Sequence, residues 1–321
     1  MTAQATLTLA DIRAAAERIR GAVRRTPVLQ DEALDEELGA RVCFKCENLQ
    51  RGGAFKLRGA TNAVRSLSAE QAARGVITHS SGNHGGALAL AASLRGVPAV
   101  VVMPDNSSAV KLANVRRMGA EVVLCRPGRV AREGKVAELQ ASRAMNLVHP
   151  FEDDRVICGQ GTAVLEFLEQ APDLQVVLAP VGGGGLLSGT AIAVRGLGAK
   201  VRVVGVEPEQ ADDAYRSFRS GERVVVDIAD TIADGLRTSV GERTFPLIRQ
   251  NVDDIVRVSE EGIRRATRLV LQKLKILIEP SAAVPVAALL EKRFHAGGAR
   301  VGIILSGGNV DLAAHSWITQ E

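Results

Sequence analysis

The sequence predicts an α/β fold in which parallel β-strands are flanked by helices on both faces. Along its 321 residues, short runs rich in β-branched residues alternate with Ala- and Leu-rich stretches of helical length. Strand runs such as "VGIIL" and "AVVVM" are apolar throughout, as strands covered on both faces require. Alternating strands and helices predict a parallel sheet. The length suggests two lobes or one large α/β unit.

Eight segments are predicted to be strands because they combine a short length with β-branched residues. In chain order they are "VCFKCE", "GVITHS", "PAVVVMP", "AEVVLC", "LQVVLAPV", "VRVVGVEP", "DIVRVS" and "VGIILSGG". Helices are predicted between them, for example at "GALALAASLRG", "SAVKLANVRRMG", "LLSGTAIAVRGLG" and "EEGIRRATRLVLQKL".

Composition excludes several classes of protein. The formal charge of +4 is spread along the chain without a long Lys/Arg run, so we expect no nucleic-acid partner. No apolar run reaches the roughly 18 residues of a membrane helix, so we expect no membrane partner. The N-terminus lacks the pattern of a signal peptide, and we therefore expect a cytoplasmic protein. Cys43 and Cys46 lie three apart on a predicted strand and should face opposite sides, which disfavours a shared metal.

Three loops at the ends of predicted strands carry unusual chemistry, and ligands of such sheets bind at these ends. In "VGGGGLLSG", the residues Gly182, Gly183, Gly184 and Gly185 separate a strand from a helix. Backbone N–H groups there can converge on an anion, and the helix N-terminus adds partial positive charge. The alternative is a tight turn that needs a positive φ.

The second loop, "SSGNHGG", places hydroxyls, an amide and an imidazole beside another helix N-terminus. Its polar residues are Ser80, Ser81, Asn83 and His84, and the loop could bind a carboxylate or merely cap the helix. The third, "LSGGNVD", contains Ser306. A phosphate site, Ser306 and the lysine of "GGAFKLRGA", Lys56, together suggest pyridoxal phosphate.

Motifs along most of the chain then point to one family. They are "ENLQRGGAFKLRGA", "HSSGNHGGALA", "HPFEDDRVICGQGT", "PVGGGGLLSG", "EPEQADDAYRS", "TIADGLRTSVG", "LIEPSAA" and "LSGGNVDL". In this order they resemble the fold-type II pyridoxal phosphate enzymes, the tryptophan synthase β-like group. Within that group the chain is most similar to the serine racemase and serine/threonine dehydratase family.

The resemblance implies roles for single residues. Lys56 is the Schiff-base lysine, Phe55 flanks the cofactor, and Asn83 contacts its ring hydroxyl. Gly182, Gly183, Gly184, Gly185 and the backbone of Leu186 hold the phosphate, and Ser306 contacts the pyridine nitrogen. The implied substrate-binding residues are Ser80, Ser81, Asn83, His84, Arg132 and Gly235.

Ser81 bears on the reaction type. In racemases of this group and in 3-hydroxyaspartate dehydratases, a serine at this position faces the lysine across the cofactor. Racemisation needs an acid/base group on each side of a planar intermediate, and Lys56 with Ser81 is such a pair. The resemblance also implies a cation site for Mg²⁺ or Ca²⁺ in "EPEQADD", with Glu207, Ala211 and Asp213 as ligands.

We therefore expect a two-lobed homodimeric enzyme with parallel sheets flanked by helices. The larger, cofactor-binding domain is predicted at 1–74 and 153–321, and the smaller, mobile domain at 75–152. The expected reaction is elimination from L-serine or L-threonine to a keto acid and ammonia, with serine racemisation. The alternatives are a 3-hydroxyaspartate dehydratase or aspartate-type racemase, a β-replacement synthase, and a non-catalytic amino-acid sensor.

Overall fold

Two β-sheets organise the chain. The computed structural model describes residues 6–80, 82–226 and 229–319. The strands of these residues are, in chain order, β1 (Val28–Leu29), β2 (Arg41–Cys46), β3 (Val76–His79), β4 (Ala99–Pro104), β5 (Glu121–Cys125), β6 (Asn146–Leu147), β7 (Val176–Pro180), β8 (Arg202–Pro208), β9 (Asp254–Val258) and β10 (Arg300–Leu305).

Helices connect and cover the strands. Within the same residues they are α1 (Leu9–Ile19), α2 (Glu32–Leu38), α3 (Lys56–Arg65), α4 (Ala69–Arg74), α5 (Asn83–Arg95), α6 (Ala109–Arg117), α7 (Arg129–Arg143), α8 (Asp154–Gln170), α9 (Gly185–Gly196), α10 (Asp213–Ser220), α11 (Thr244–Asn251), α12 (Glu260–Leu274) and α13 (Pro280–Leu290). Short 3-10 helices lie at Glu47–Leu49, Arg51–Gly53, Glu209–Ala211, Asp234–Leu236 and Ser316–Ile318.

The predicted α/β class is confirmed. One sheet has six strands in the order β1-β2-β10-β7-β8-β9, and the other has four in the order β5-β4-β3-β6. The pairings are parallel except that of β1 with β2. All eight predicted strands are present, and the two that were not predicted, β1 and β6, are two residues long each. The four-stranded sheet uses residues 76–147, and the predicted domain limits stay a prediction.

Two apolar clusters cover the faces of the six-stranded sheet. Phe44 and Cys46 of β2 pack in one cluster, against residues of α12 and α13. Cys43 packs in the other, with residues of α1, α8 and α9. Because neighbouring strand residues alternate between faces, the thiols of Cys43 and Cys46 lie on opposite sides of the sheet, as predicted. Within the described part of the chain, no helix is long and apolar enough to cross a membrane.

Helix ends follow the expected local chemistry. The side chain of Ser259 accepts a hydrogen bond from the N–H of Gly262 and caps α12, whose first turn is acidic. Pro280 occupies the first turn of α13, where its missing N–H removes no hydrogen bond. Glu279 is therefore fixed immediately before the start of α13.

Candidate active site

The start of α3 is tied to the end of β10. The N–H of Phe55 donates to the carbonyl of Ser306 at 2.9 Å, and the N–H of Gly308 donates to the carbonyl of Gly53 at 2.9 Å. These bonds place Lys56, the first residue of α3, beside the loop that follows the central strand β10. Two of the predicted cofactor residues, Lys56 and Ser306, are thus brought together although 250 positions separate them.

The amine of Lys56 is enclosed, although the residue as a whole is only half-buried. Its Nζ donates to the carbonyl of Pro150 at 2.9 Å and lies 5.1 Å from the ring centre of Phe55. Burial lowers the pKa of Lys56 to about 8, while the negative charge of Glu279 acts in the opposite direction. The lowered pKa gives Lys56 a larger neutral fraction at neutral pH than an ordinary lysine has, as a nucleophilic or basic amine needs.

The four glycines form the turn between β7 and α9. Gly184 has a φ of +86°, which favours glycine, and a Cβ on Gly183 would overlap the ring of Phe151. The hydroxyl of Thr244 donates to the carbonyl of Gly183 at 2.7 Å and fixes the turn. The first N–H groups of any helix lack acceptors within that helix, so the start of α9 presents donors to an anion. The tight turn with a positive φ is therefore present at Gly184, and the anion site at the same turn stays a prediction.

The "SSGNHGG" loop leads from β3 into α5, which begins at Asn83. Asn83 donates from Nδ2 to Glu279 at 2.8 and 3.0 Å, and its Oδ1 accepts from Asn309 at 2.9 Å. Nε2 of the buried His84 is 3.1 Å from the carbonyl of Val148, and its pKa is lowered by burial and then by Lys56. Ser80 lies in the loop, where its hydroxyl accepts from the N–H of Gly82. Ser81 lies outside the described residues.

Glu279 is a site residue that sequence reasoning missed. The residue is 4% exposed, and burial raises the pKa of its carboxyl to about 8, opposed by the hydrogen bond from Asn83. A Cβ on Gly307 would overlap its carboxylate, so the glycine after Ser306 makes room for it. The motif "LIEPSAA" shows only that an acid precedes a proline at a helix start, where its backbone is restricted to extended conformations.

The remaining predicted substrate residues lie farther apart. Arg132 is on α7, and its Nε is buried without a hydrogen-bond partner in the described chain. Burial is the main cause that lowers the pKa of His79, the last residue of β3. The nearby His149 and the charge of Arg132 lower this pKa further. Gly235 donates from its N–H to Ser281 at 3.0 Å, and its carbonyl lies beside Gly182. Arg132 therefore lies near the end of β3, and Gly235 lies near the glycine turn.

A buried charge network holds α3 in place. Arg58 donates to both oxygens of Glu47 at 2.8 Å and to those of Glu166 at 2.8 and 2.7 Å. Lys45 donates to Glu166 at 2.9 Å. Arg58, Lys45 and Glu47 are fully buried. Because Arg58 is in the first turn of α3, this network fixes the helix end that carries Lys56.

Two of the predicted metal ligands form a buried carboxylate pair. Glu207 is the next-to-last residue of β8 and accepts hydrogen bonds from the N–H groups of Ala214 and Tyr215 at 3.1 and 2.9 Å. Asp213 begins α10 and accepts the N–H of Val240 at 2.7 Å. The pKa of Glu207 is raised well above its usual range by burial and by Asp213, and burial raises that of Asp213 to about 6. Ala211 is buried between them in the chain.

The residues present fit pyridoxal phosphate. An enclosed amine of lowered pKa, a glycine turn at a helix start and a buried serine at the end of a central strand are the parts that this cofactor needs. Two of these parts follow strands of the six-stranded sheet, Gly182–Gly185 after β7 and Ser306 after β10. The third, Lys56, is tied to the end of β10 through the hydrogen bond from Phe55 to Ser306. All three occupy the carboxyl edge of this sheet, where ligands of parallel sheets bind.

Known proteins match the chain over nearly its whole length. The model of the family described as "Pyridoxal-phosphate dependent enzyme" matches residues 19–307. The beta-hydroxyaspartate dehydratase of Paracoccus denitrificans (strain Pd 1222) is 46% identical over 310 residues, which cover 97% of this chain and 98% of that protein. The serine racemase of Dictyostelium discoideum is 46% identical over 322 residues, which cover 99% of each.

A solved structure agrees with the fold. The crystal structure of the serine racemase from Dictyostelium discoideum matches with a TM-score of 0.91 and 47% identity, over 96% of this chain and 100% of that chain. The resemblance inferred from the motifs is thereby confirmed. The chain belongs to the family of pyridoxal-phosphate dependent enzymes.

Proposed function

We propose that the protein converts small hydroxy-amino acids to a keto acid and ammonia, losing water from the substrate and taking one water up again in hydrolysis, and that it racemises serine, with pyridoxal phosphate bound at Lys56. The observation that carries the proposal is the convergence of Lys56, the glycine turn and Ser306 at one sheet edge. The relatives named serine racemase and beta-hydroxyaspartate dehydratase support this reaction class.

Each part of the cofactor has a residue to hold it. The N–H groups of Gly182–Gly185 and Leu186 would hold the phosphate, Asn83 the ring hydroxyl and Ser306 the pyridine nitrogen. Phe55 would flank the ring, and Lys56 would hold the cofactor covalently. When bound, pyridoxal phosphate supplies an electron sink for the charge left at the α-carbon of the amino acid.

Lys56 is the proposed base. With a pKa of about 8, its Nζ is partly neutral at neutral pH and takes the α-proton of the substrate. Loss of the β-hydroxyl from the same substrate leads overall to a keto acid and ammonia. Ser80 and His84, together with Asn83 and the N-terminus of α5, are proposed to bind the α-carboxylate, and Gly235 to border the substrate on the other side.

Ser81 is proposed to return a proton on the face opposite Lys56. The Ser81→Ala variant is expected to lose racemisation and to keep measurable elimination, because only racemisation needs the second proton donor. Chiral chromatography of serine and an ammonia assay on the same samples separate the two activities. Racemisation at the parent rate in Ser81→Ala would contradict this role.

A 3-hydroxyaspartate dehydratase is the second candidate. The buried, unpartnered Nε of Arg132 favours it, because a second carboxylate on the substrate would satisfy such a donor. The relative from Paracoccus denitrificans supports the same substrate. Assays of the parent and of Arg132→Lys with the separate stereoisomers of serine, threonine and 3-hydroxyaspartate decide between the two candidate functions. Only the dicarboxylate should depend strongly on Arg132 if this candidate is correct.

Borohydride reduction tests the main proposal. Protein purified with cofactor should lose its visible absorbance on reduction. Peptide mapping should then find the reduced cofactor attached to Lys56 as a covalent label. Lys56→Ala should carry no label, whereas Lys135→Ala, which alters an exposed ion pair, should label as the parent does. A label on any other residue, or no bound cofactor after addition, would refute the assignment.

We also propose a binding site for Mg²⁺ or Ca²⁺. Its ligands are the carboxylates of Glu207 and Asp213 and the backbone carbonyl of Ala211. Burial, and after it the charge of Asp213, raises the pKa of Glu207, and a divalent cation held by both carboxylates would offset the repulsion between them; oxygen ligands suit these metals. The family resemblance further supports a homodimer. Light scattering coupled to gel filtration measures the assembly state directly.

A further inference from the structure

His149 holds the backbone turn that follows it. Its Nδ1 accepts hydrogen bonds from the N–H of Phe151 at 3.4 Å and from the N–H of Glu152 at 3.1 Å. The N–H of Phe151 and the carbonyl of Pro150 belong to one planar peptide group. An acceptor that fixes the N–H therefore also fixes the direction of the Pro150 carbonyl.

That carbonyl is the acceptor for the active-site amine. Nζ of Lys56 donates to it at 2.9 Å, across 94 positions of the sequence. The same short segment is held at both ends by other elements. Upstream, Val148 contacts His84 of α5 at 3.1 Å, and downstream, Glu152 accepts the N–H of Arg243 at 3.2 Å. The Pro150 carbonyl is thus a rigid acceptor rather than a mobile loop atom.

We propose that His149 is a positioning residue for Lys56, acting through the Pro150–Phe151 peptide group, which holds the free amine in its place. The proposal rests on the role of Lys56 described above. It assigns a task to a histidine that neither contacts nor replaces the lysine. The imidazole fixes a carbonyl, and the carbonyl fixes Nζ.

The protonation state of His149 agrees with this task. Nδ1 accepts hydrogen bonds only when it carries no proton, which requires a neutral ring. Burial and then the charge of Lys56 lower the pKa of His149 to about 4, so the ring is neutral at neutral pH. The rings of Phe151 and His79 lie edge to face with it, with centres 4.6 and 5.3 Å away, and restrain its plane.

The contact has a predictable effect on Lys56. A carbonyl acceptor stabilises the ammonium form more than the neutral amine, so its loss lowers the pKa of Lys56 further. In the described chain, the other titratable groups that face this amine are Glu279, His84 and His149. Neutral replacements of His149 leave the charges of the other two unchanged.

Two amide variants distinguish the roles of the two ring nitrogens of His149. In His149→Asn the side-chain oxygen takes the position of Nδ1 and accepts from N–H groups two and three residues ahead. In His149→Gln the oxygen takes the position of Nε2 and cannot do so. The pKa of Lys56 is measured in the full-length chain freed of cofactor, by trace acetylation across pH and mass spectrometry. Exposed Lys200 serves as the internal reference.

The expected result is a Lys56 pKa equal to that of the parent in His149→Asn and lower by about half to one unit in His149→Gln. Equal values in all three proteins, or the same shift in both variants, would overturn the proposal. If His149→Gln does not fold, His149→Ala, which also lacks an acceptor at the position of Nδ1, replaces it, with the same lowered pKa expected and an unshifted pKa overturning the proposal. Because this measurement needs no cofactor, its outcome is independent of the borohydride test of Lys56.

Discussion

Nδ2 of Asn83 donates to both carboxylate oxygens of Glu279, at 2.8 and 3.0 Å, and so joins the starts of α5 and α13. One residue belongs to the part of the chain that builds the four-stranded sheet, and the other to the part that builds the six-stranded sheet. The contact spans 196 positions and lies beside the proposed cofactor. Its strength depends on the charge of Glu279, whose pKa burial has raised to about 8.

Glu279 makes stability depend on pH. Between pH 5 and 8 the folded chain keeps a proton on Glu279 that the unfolded chain releases, so the free energy of unfolding of the cofactor-free chain should fall as pH rises. Glu279→Gln should reduce this fall by on the order of 4 kcal/mol over the window. Urea unfolding at several pH values measures it. Glu70→Gln, at an exposed ion pair, is the control, and an unchanged slope in Glu279→Gln would contradict the prediction.

The buried network around α3 should be essential to folding. Arg58→Met leaves the buried carboxylate of Glu47 without its main partner, and the expected loss of unfolding free energy is about 3–5 kcal/mol. Arg20→Met removes an arginine from an exposed pair with Glu17 and should change it by less than about 1 kcal/mol. Chemical denaturation measures both variants. Equal losses of unfolding free energy in Arg58→Met and Arg20→Met would show that burial of the ion pair does not matter.

The glycine turn should tolerate no side chain. In Gly183→Ala the new Cβ overlaps the ring of Phe151, so the turn must shift and cofactor affinity should fall at least tenfold. Gly134→Ala, inside α7 with open space around its Cα, should leave the affinity unchanged and stabilise the helix by about 0.5–1 kcal/mol. Titration of the cofactor by absorbance compares the two variants, and equal affinities would argue against the turn as the phosphate site.

Cation binding should depend on pH through the carboxylate pair. Protons compete with the metal at Glu207 and Asp213, whose pKa values are raised, to about 6 in Asp213, so Mg²⁺ or Ca²⁺ should bind more tightly at pH 7.5 than at pH 5.5. A metal-dependent rise of the melting temperature should follow the same order. Asp213→Asn should lose the rise, whereas Glu209→Gln, in an exposed ion pair with Arg293, should retain it. A pH-independent rise would contradict this site.

Local sequence predicted much of the site because its parts follow strands. Gly182–Gly185 and Ser306 lie in loops at strand ends, and parallel strands bring such loops to one edge. Lys56 was predicted from its own motif, because a phosphate site and Ser306 together with a lysine suggest pyridoxal phosphate. Glu279 was missed, since its partner Asn83 is fixed only by the arrangement of the two sheets. The Pro150 carbonyl was missed because a backbone acceptor leaves no mark in a sequence.

The division into two sheets shows a second limit. Alternation of strand and helix predicts parallel pairing but does not say which strands are neighbours. The short strands β1 and β6 pair through only two residues each, too few for a periodic pattern. The predicted opposite orientation of Cys43 and Cys46, by contrast, needed only the alternation within one strand.

The position of β10 in the six-stranded sheet has a consequence for synthesis on the ribosome. β10 comes last among the described strands, yet it lies between β2 and β7 and is the only link between them. Until it emerges, β1 with β2 and the block β7-β8-β9 are separate pieces with unpaired edges, which are prone to association. The residues just before Lys56, tied to Ser306 just after β10, become ordered only once β10 has been made. A nascent chain lacking this strand would therefore hold the lysine but no site for the cofactor.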